Sequence, residues 1–202
     1  MRRRLAVVGA AGGIGLATLV ANGMQAADSL TSDDGAKLEE KLVSILRHAD
    51  TAEPEEQITS LLEGEINAYL RFQGAARLPI GLTEPKLQIG EGGIVSAEAV
   101  VDLNLIREQR ARDWLDPLQY LAGRLPVTAS GRIRSGDGLA EVDIESVTLA
   151  GVPVPVQVLQ ELVGYYTRTP DHPNGTRLDE PISLPYRIAE LRLSPGRAII
   201  VQ

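Results

Sequence analysis

Apolar residues recur at helical spacing early in the chain and at alternate positions through its middle. Leu38, Leu42, Ile45, Leu46 and Ala49 fall on one face at the helical period, and Asp33 and Asp34 stand where a helix dipole favours acids. This predicts a helix ending near Asp50. Pro54, suited to a first helical turn and followed by Glu55 and Glu56, predicts a second helix. Its stripe is Ile58, Leu61, Leu62, Ile66, Tyr69 and Leu70, closed by Gly74 and Pro79. From Pro85 the period becomes two. Leu87 and Ile89 precede a turn at Gly90, Gly92 and Gly93, and Ala97, Ala99, Val101, Leu103 and Leu105 then share one strand face, with Glu98, Asp102 and Asn104 on the other.

The stretch from Arg107 to Ala122 reads as a helical or irregular insertion carrying Trp114, Leu115, Leu118 and Leu121. Two more strands follow, Val127 to Ile133 and Ala140 to Leu149, joined by an Asp137-Gly138 hairpin turn. Val147 and Leu149 are out of phase with Ala140, Val142 and Ile144, which predicts a β-bulge near Glu145 or Ser146. Gly151 to Pro155 stops the strand, and Pro155 starts a helix with Val158, Leu159, Leu162, Val163 and Tyr166 on its apolar face. After a Pro/Asn/Gly loop from Thr169 to Asp179, two short strands, Arg187 to Leu193 and Arg197 to Val201, finish the chain around Ser194-Pro195-Gly196. Segregated helices and hairpin-linked strands predict an α+β fold with an antiparallel sheet.

The first residues change the picture of where the domain begins. Arg2, Arg3 and Arg4 precede an uncharged stretch from Leu5 to Val20, then small residues to Ala27. A basic head, an apolar body and a small-residue tail are the parts of a secretory signal. The expectation is a signal peptide over 1–27, cleaved after Gly23, Ala26 or Ala27, and a single domain over 28–202 in the bacterial periplasm or outside the cell. The stretch from Leu5 to Gly15 also resembles the opening of malate dehydrogenases, but the second strand ending in a ribose-binding acid is missing, and no parallel βαβ series follows.

Charge and composition narrow the chemistry. The formal net charge is −7, and without residues 1–27 the chain keeps 17 bases against 27 acids. Such a domain repels nucleic-acid phosphates at long range, and 3% aromatic residues leave little to stack on bases. The cluster of Arg107, Arg110 and Arg112 reads as a solvated helix face. With no Cys, disulfides, thiolate nucleophiles and Cys-based metal sites are excluded. The two His residues, His48 and His172, sit apart, and no HExxH spacing or Gly-x-Ser-x-Gly elbow occurs. Glu63 with Glu65, and Glu141 with Asp143 and Glu145, are the carboxylate groups that glycoside chemistry would use, and each also reads as a solvated face. The expectation is a protein without catalysis, cofactor or metal.

The run from Ile58 to Leu70, containing Glu65-Ile66-Asn67-Ala68-Tyr69-Leu70, resembles the EINxYL helix of YceB-like envelope proteins, which belong with the tubular lipid-binding (TULIP-like) folds. The Gly151-Val152-Pro153-Val154-Pro155 turn and the Leu184 to Ile188 approach to the last strand resemble them too. The resemblance spans about residues 56 to 202 and lacks the lipobox Cys of some envelope relatives. It implies a TULIP-like half-barrel: a curved antiparallel sheet wrapped around a long amphipathic helix, here with an extra N-terminal helix, and an apolar interior for lipid. The expected partner is a lipid or other apolar small molecule. The candidate groove residues are Leu62, Ile66, Tyr69, Val101, Leu103, Val142, Ile144, Leu162 and Tyr166. The alternative is an envelope protein-interaction module with a solid core, docking a protein partner through the Trp114 segment or the loop near His172.

Overall fold

Thr31 sets the start of the first helix in the computed structural model, which describes residues 30–52, 55–109, 122–166, 168, 173–175 and 177–202. Its extended backbone leads into α1 (Ser32–Ala49), its hydroxyl accepts from the Asp34 N–H at 3.2 Å, and it donates to the Asp34 carboxylate at 2.6 Å. Leu38 and Ile45 turn inward while Leu46 stays exposed, so the buried stripe is narrower than the apolar one.

The second helix departs from expectation. Ile58–Leu62 is a strand, β1, and only Glu63–Phe72 is helical, as α2. Ile58, Leu61 and Leu62 fit a helical stripe, but β1 pairs antiparallel with the last strand, Ile58 opposite Val201 and Leu62 opposite Arg197. Tertiary pairing outweighs a short periodic signal here. The switch from strand to helix is held by Glu65, whose Oε2 accepts from the Leu62 N–H at 3.0 Å. Lys41 of α1 donates to the same oxygen at 2.6 Å and to the Ser60 carbonyl at 2.8 Å, so the buried carboxylate is neutralised where it lies. Gly35 sits at the α1–α2 crossing, where a Cβ would lie 3.0 Å from the Ala68 backbone.

Two antiparallel sheets follow. The larger runs in the order β2 (Leu82–Ile89), β3 (Ile94–Asp102), β4 (Arg124–Gly136), β5 (Leu139–Leu149), β6 (Val152–Pro153), with β7 (Ile182–Ser183) also pairing with β5. The smaller places β9 (Arg197–Val201) between β1 and β8 (Glu190–Ser194). The remaining helices are α3 (Leu103–Gln109) and α4 (Val156–Tyr166), which begins directly after Pro155 as predicted. The protein is thus α+β with antiparallel sheets and four described helices. None of these is long and apolar enough to cross a membrane.

Leu103 and Leu105 are corrected from strand to helix. Asp102 Oδ1 accepts from the N–H groups of Asn104 and Leu105 at 3.0 and 3.3 Å, ending β3 and capping α3. The predicted bulge is present: Ser130 pairs with Ser146 but Gly131 with Ile144, leaving Glu145 as the extra residue. Gly131 is required there, since a Cβ would lie 2.7 Å from the Asp143 carbonyl oxygen. Asp137 and Gly138 both take positive φ, as a type I′ hairpin turn needs. The 1–27 segment, Pro54, Trp114 with its neighbours at 110–121, and His172 lie outside the described residues.

The outer edge of β2 is closed by α2. Asn67 Oδ1 accepts from the Leu87 N–H at 2.7 Å while its Nδ2 donates to the Leu87 carbonyl at 2.8 Å, and Glu63 Oε2 accepts from the Ile89 N–H at 2.7 Å. The geometry follows from two periods: four residues along a helix rise about 6 Å, close to the roughly 6.7 Å spanned by two residues of a strand. Covering an edge in this way removes a template for unwanted strand pairing.

Candidate functional site: the apolar face of the larger sheet

The bulge, the hairpins and the registers sort the larger sheet into two chemically distinct faces. Cross-strand rows run Leu87–Ala97–Ala129–Val147, Ile89–Val95–Gly131–Ile144 and Ala99–Val127–Leu149. The opposite face carries hydroxyl pairs, Thr128 with Thr148 at 2.7 Å and Ser130 with Ser146 at 2.8 Å. It also carries the ion pairs Arg132–Glu145 and Arg134–Glu141, both at 3.6 Å.

The apolar face is unevenly covered. Ile89 is buried where α1, α2 and the smaller sheet meet it, in a cluster with Leu38, Ile45, Leu61, Tyr69, Ala198 and Ile200. Further across, Ala97, Ala99, Val127, Ala129, Val142, Ile144 and Val147 are only half-buried. Over β5 stands α4, and between them lies a cleft of about 490 Å³ with an apolar wall of Val142, Ile144, Val156 and Leu178 and a polar rim that includes Asp143, Gln157, Gln160, Glu161, Arg177 and Asp179. A second cleft of about 420 Å³ adjoins it, sharing Val142, Asp143, Leu178 and Asp179, and turns to the polar face at Arg134 and Glu141. Gln160 Oε1 accepts from the Leu178 N–H at 2.7 Å and so ties this segment to α4. At the rim Arg177 contacts Asp179 and Glu180 at 2.7 and 2.9 Å. Its hydrogen bond to Asp179, foremost among the causes, holds that carboxyl below the ordinary carboxylate range.

The structure distributes the nine predicted residues over several places. Val142 and Ile144 wall the α4–β5 cleft. Leu162 is half-buried on α4, and the Tyr166 side chain lies outside the described set. Val101 is half-buried at the far end of the apolar face, opposite Leu82 and Leu125. Leu103 is only 2% exposed at the start of α3. Tyr69 belongs to the packed core, with its hydroxyl accepting from Arg77 Nη1 at 2.6 Å, and Ile66 packs against that core. Leu62, at the end of β1, is 42% exposed. Gln160 and Leu178 are cleft residues that periodicity does not flag; the apolar Leu178 between Arg177 and Asp179 is the signal a closer reading of that loop offers.

Four of the five carboxylates considered for hydrolysis are engaged elsewhere, and the fifth, Asp143, lines both clefts. Glu63 accepts from the β2 edge, Glu65 pairs with Lys41, and Glu141 and Glu145 pair with Arg134 and Arg132. Among the described residues no group of three or more His, Asp or Glu is arranged to hold a metal ion.

No family model, no curated protein and no solved structure matches this chain.

Proposed function

We propose that this protein is exported and, without catalysing a reaction, holds an acyl chain or other apolar small molecule between α4 and the apolar face of β5. The observation carrying this reading is the half-buried apolar face, with a cleft beside Val142 and Ile144 where a filled core would otherwise be. Its volume lies within the range of small-molecule sites, about 300–1,000 Å³. Each methylene withdrawn from water contributes about 0.8 kcal/mol, so one chain offsets the cost of association without a polar code. A bulged sheet with a helix beside it supports the reading, here with α4 (11 residues) beside the proposed site rather than α2, which carries Glu65 to Leu70. The basic head and apolar stretch at the N-terminus support export.

Titration with a fluorescent fatty acid tests the reading. Saturable uptake is expected and, measured in the Arg71→Gln/Lys86→Gln background to remove the contribution of a separate cleft along the β2 edge, is weakened at least about tenfold by Ile144→Arg, because a cation then stands beside the apolar wall of the cleft. No uptake, or equal uptake by the variant, would contradict it. The interaction-module reading would then stand on a different observation: Val152 is 66% exposed, with Val156 and Val158 exposed beside it.

A further inference from the structure

A more voluminous cleft lies elsewhere, along the outer edge of β2, with a volume of about 950 Å³. Leu30, Leu70, Leu78 and Leu82 supply apolar wall, and Glu63, Arg71, Glu84 and Lys86 stand among them. The two acids are already committed. Glu63 accepts from the Ile89 N–H at 2.7 Å, and Glu84 pairs with Arg124 at 2.7 Å. Among the described residues neither Arg71 nor Lys86 closes an ion pair within 4 Å, although Lys86 lies opposite Glu98 across the β2–β3 register, and Arg71 lies over the Phe72 ring at 5.4 Å. Glu63 keeps its charge, so the four charged side chains of the lining sum to zero; with Glu84 drawn to Arg124, the cleft is less negative than a chain of net charge −7 as a whole.

The edge itself argues against an extended peptide as occupant. The β2–β3 register shifts between Thr83 and Lys86, Glu84 takes a positive φ of 54°, and Pro85 has no N–H to offer a new strand. Further along, Asn67 and Glu63 already occupy the edge groups of Leu87 and Ile89. What remains is an apolar trough with cations at its rim.

We infer that this edge cleft binds a single-chain anionic amphiphile, its acidic head at Arg71 and Lys86 and its tail along Leu70, Leu78 and Leu82. The site is separate from the α4–β5 cleft and stands or falls without it.

The test compares two amphiphiles with the same tail and opposite heads, dodecanoate and dodecyltrimethylammonium, each titrated below its micelle concentration into the full chain by calorimetry. The overall negative charge favours the cation, so a preference for dodecanoate points to a local site. Dodecanoate is expected to bind about tenfold more tightly, given two exposed ion pairs. The double variant Arg71→Gln/Lys86→Gln should lose that preference while keeping its melting temperature, since both side chains are exposed. Ile144→Arg should leave the preference intact. Equal or tighter binding of the cationic amphiphile would overturn the inference. So would a preference that survives the double variant or disappears in Ile144→Arg.

Discussion

The two ends of the larger sheet's apolar face are built from similar residues and finished differently. At the β2 end, α1, α2 and the smaller sheet close over Ile89, and Leu38, Ile45, Leu61 and Tyr69 fill the space between them. At the β5 end, Val142 and Ile144 face α4 across an open cleft. Apolar alternation is common to both; the difference lies in what is brought against it. The closed end is also locked by polar groups, Asn67 and Glu63 on the β2 edge and Lys41 on Glu65. At the open end Gln160 accepts from the Leu178 N–H and Arg177 pairs with Asp179 and Glu180, and these ties hold a rim beside the cleft. Packing of the first kind serves stability, and a half-covered apolar face of the second kind is where a ligand can substitute for missing side chains.

That contrast predicts unequal costs for the same deletion. Ile45→Ala should lower stability by about 2–5 kcal/mol, because a cavity opens in a packed site. Ile144→Ala should cost less than about 1.5 kcal/mol, since its methyls are already half-exposed. Chemical denaturation of both variants reads this directly, and equal losses would erase the distinction between the two ends. Next in size, Asn67→Leu leaves the Leu87 N–H and C=O without partners and should cost about 2 kcal/mol. The loss should be accompanied by concentration-dependent association, visible by light scattering, as the β2 edge is uncovered.

The smallest effect concerns α1, whose start supports the closed end. Asp34 is held below the ordinary carboxylate range, first by the hydrogen bond from Lys37 and then by that from the Thr31 hydroxyl. A lowered acid contributes stability that is present above its unfolded value and lost as pH falls through its folded value. Because the group is fully exposed, the contribution is small. Asp34→Asn should lower stability slightly near neutrality and converge on the unaltered protein as pH falls through the acid limb, which chemical denaturation across that pH range would read.

How much of this was legible in the sequence divides along the same line between local and distant chemistry. The end of α1, the Asp137-Gly138 turn, the Glu145 bulge and the start of α4 after Pro155 all rest on neighbouring residues and were readable, whereas the start of α1 at Ser32 falls inside a stretch, Ser29 to Gly35, that reads as a polar lead-in to the helix. β1 was not, because Ile58 to Leu62 satisfies a helical stripe and its strand partner lies at the opposite end of the chain. Leu103 was misassigned although Asp102, an Asx cap, stood directly before it. For the candidate site, Val142 and Ile144 were readable as one face of a strand. Which helix stands over them was not, since the apolar stripe of Ile66 and Tyr69 looks equally suited to a groove and instead enters the closed core.

The account depends most on the β5 end being a place that an apolar molecule enters. Native mass spectrometry of the full chain, purified without detergent from the cells that make it, measures this directly. The predicted result is a population heavier by the mass of one lipid or other apolar molecule, reduced to the bare protein when Ile144→Arg is combined with Arg71→Gln/Lys86→Gln, which removes the contribution of the edge cleft. A bare mass for the unaltered protein, still bare after incubation with fatty acid, would contradict the claim.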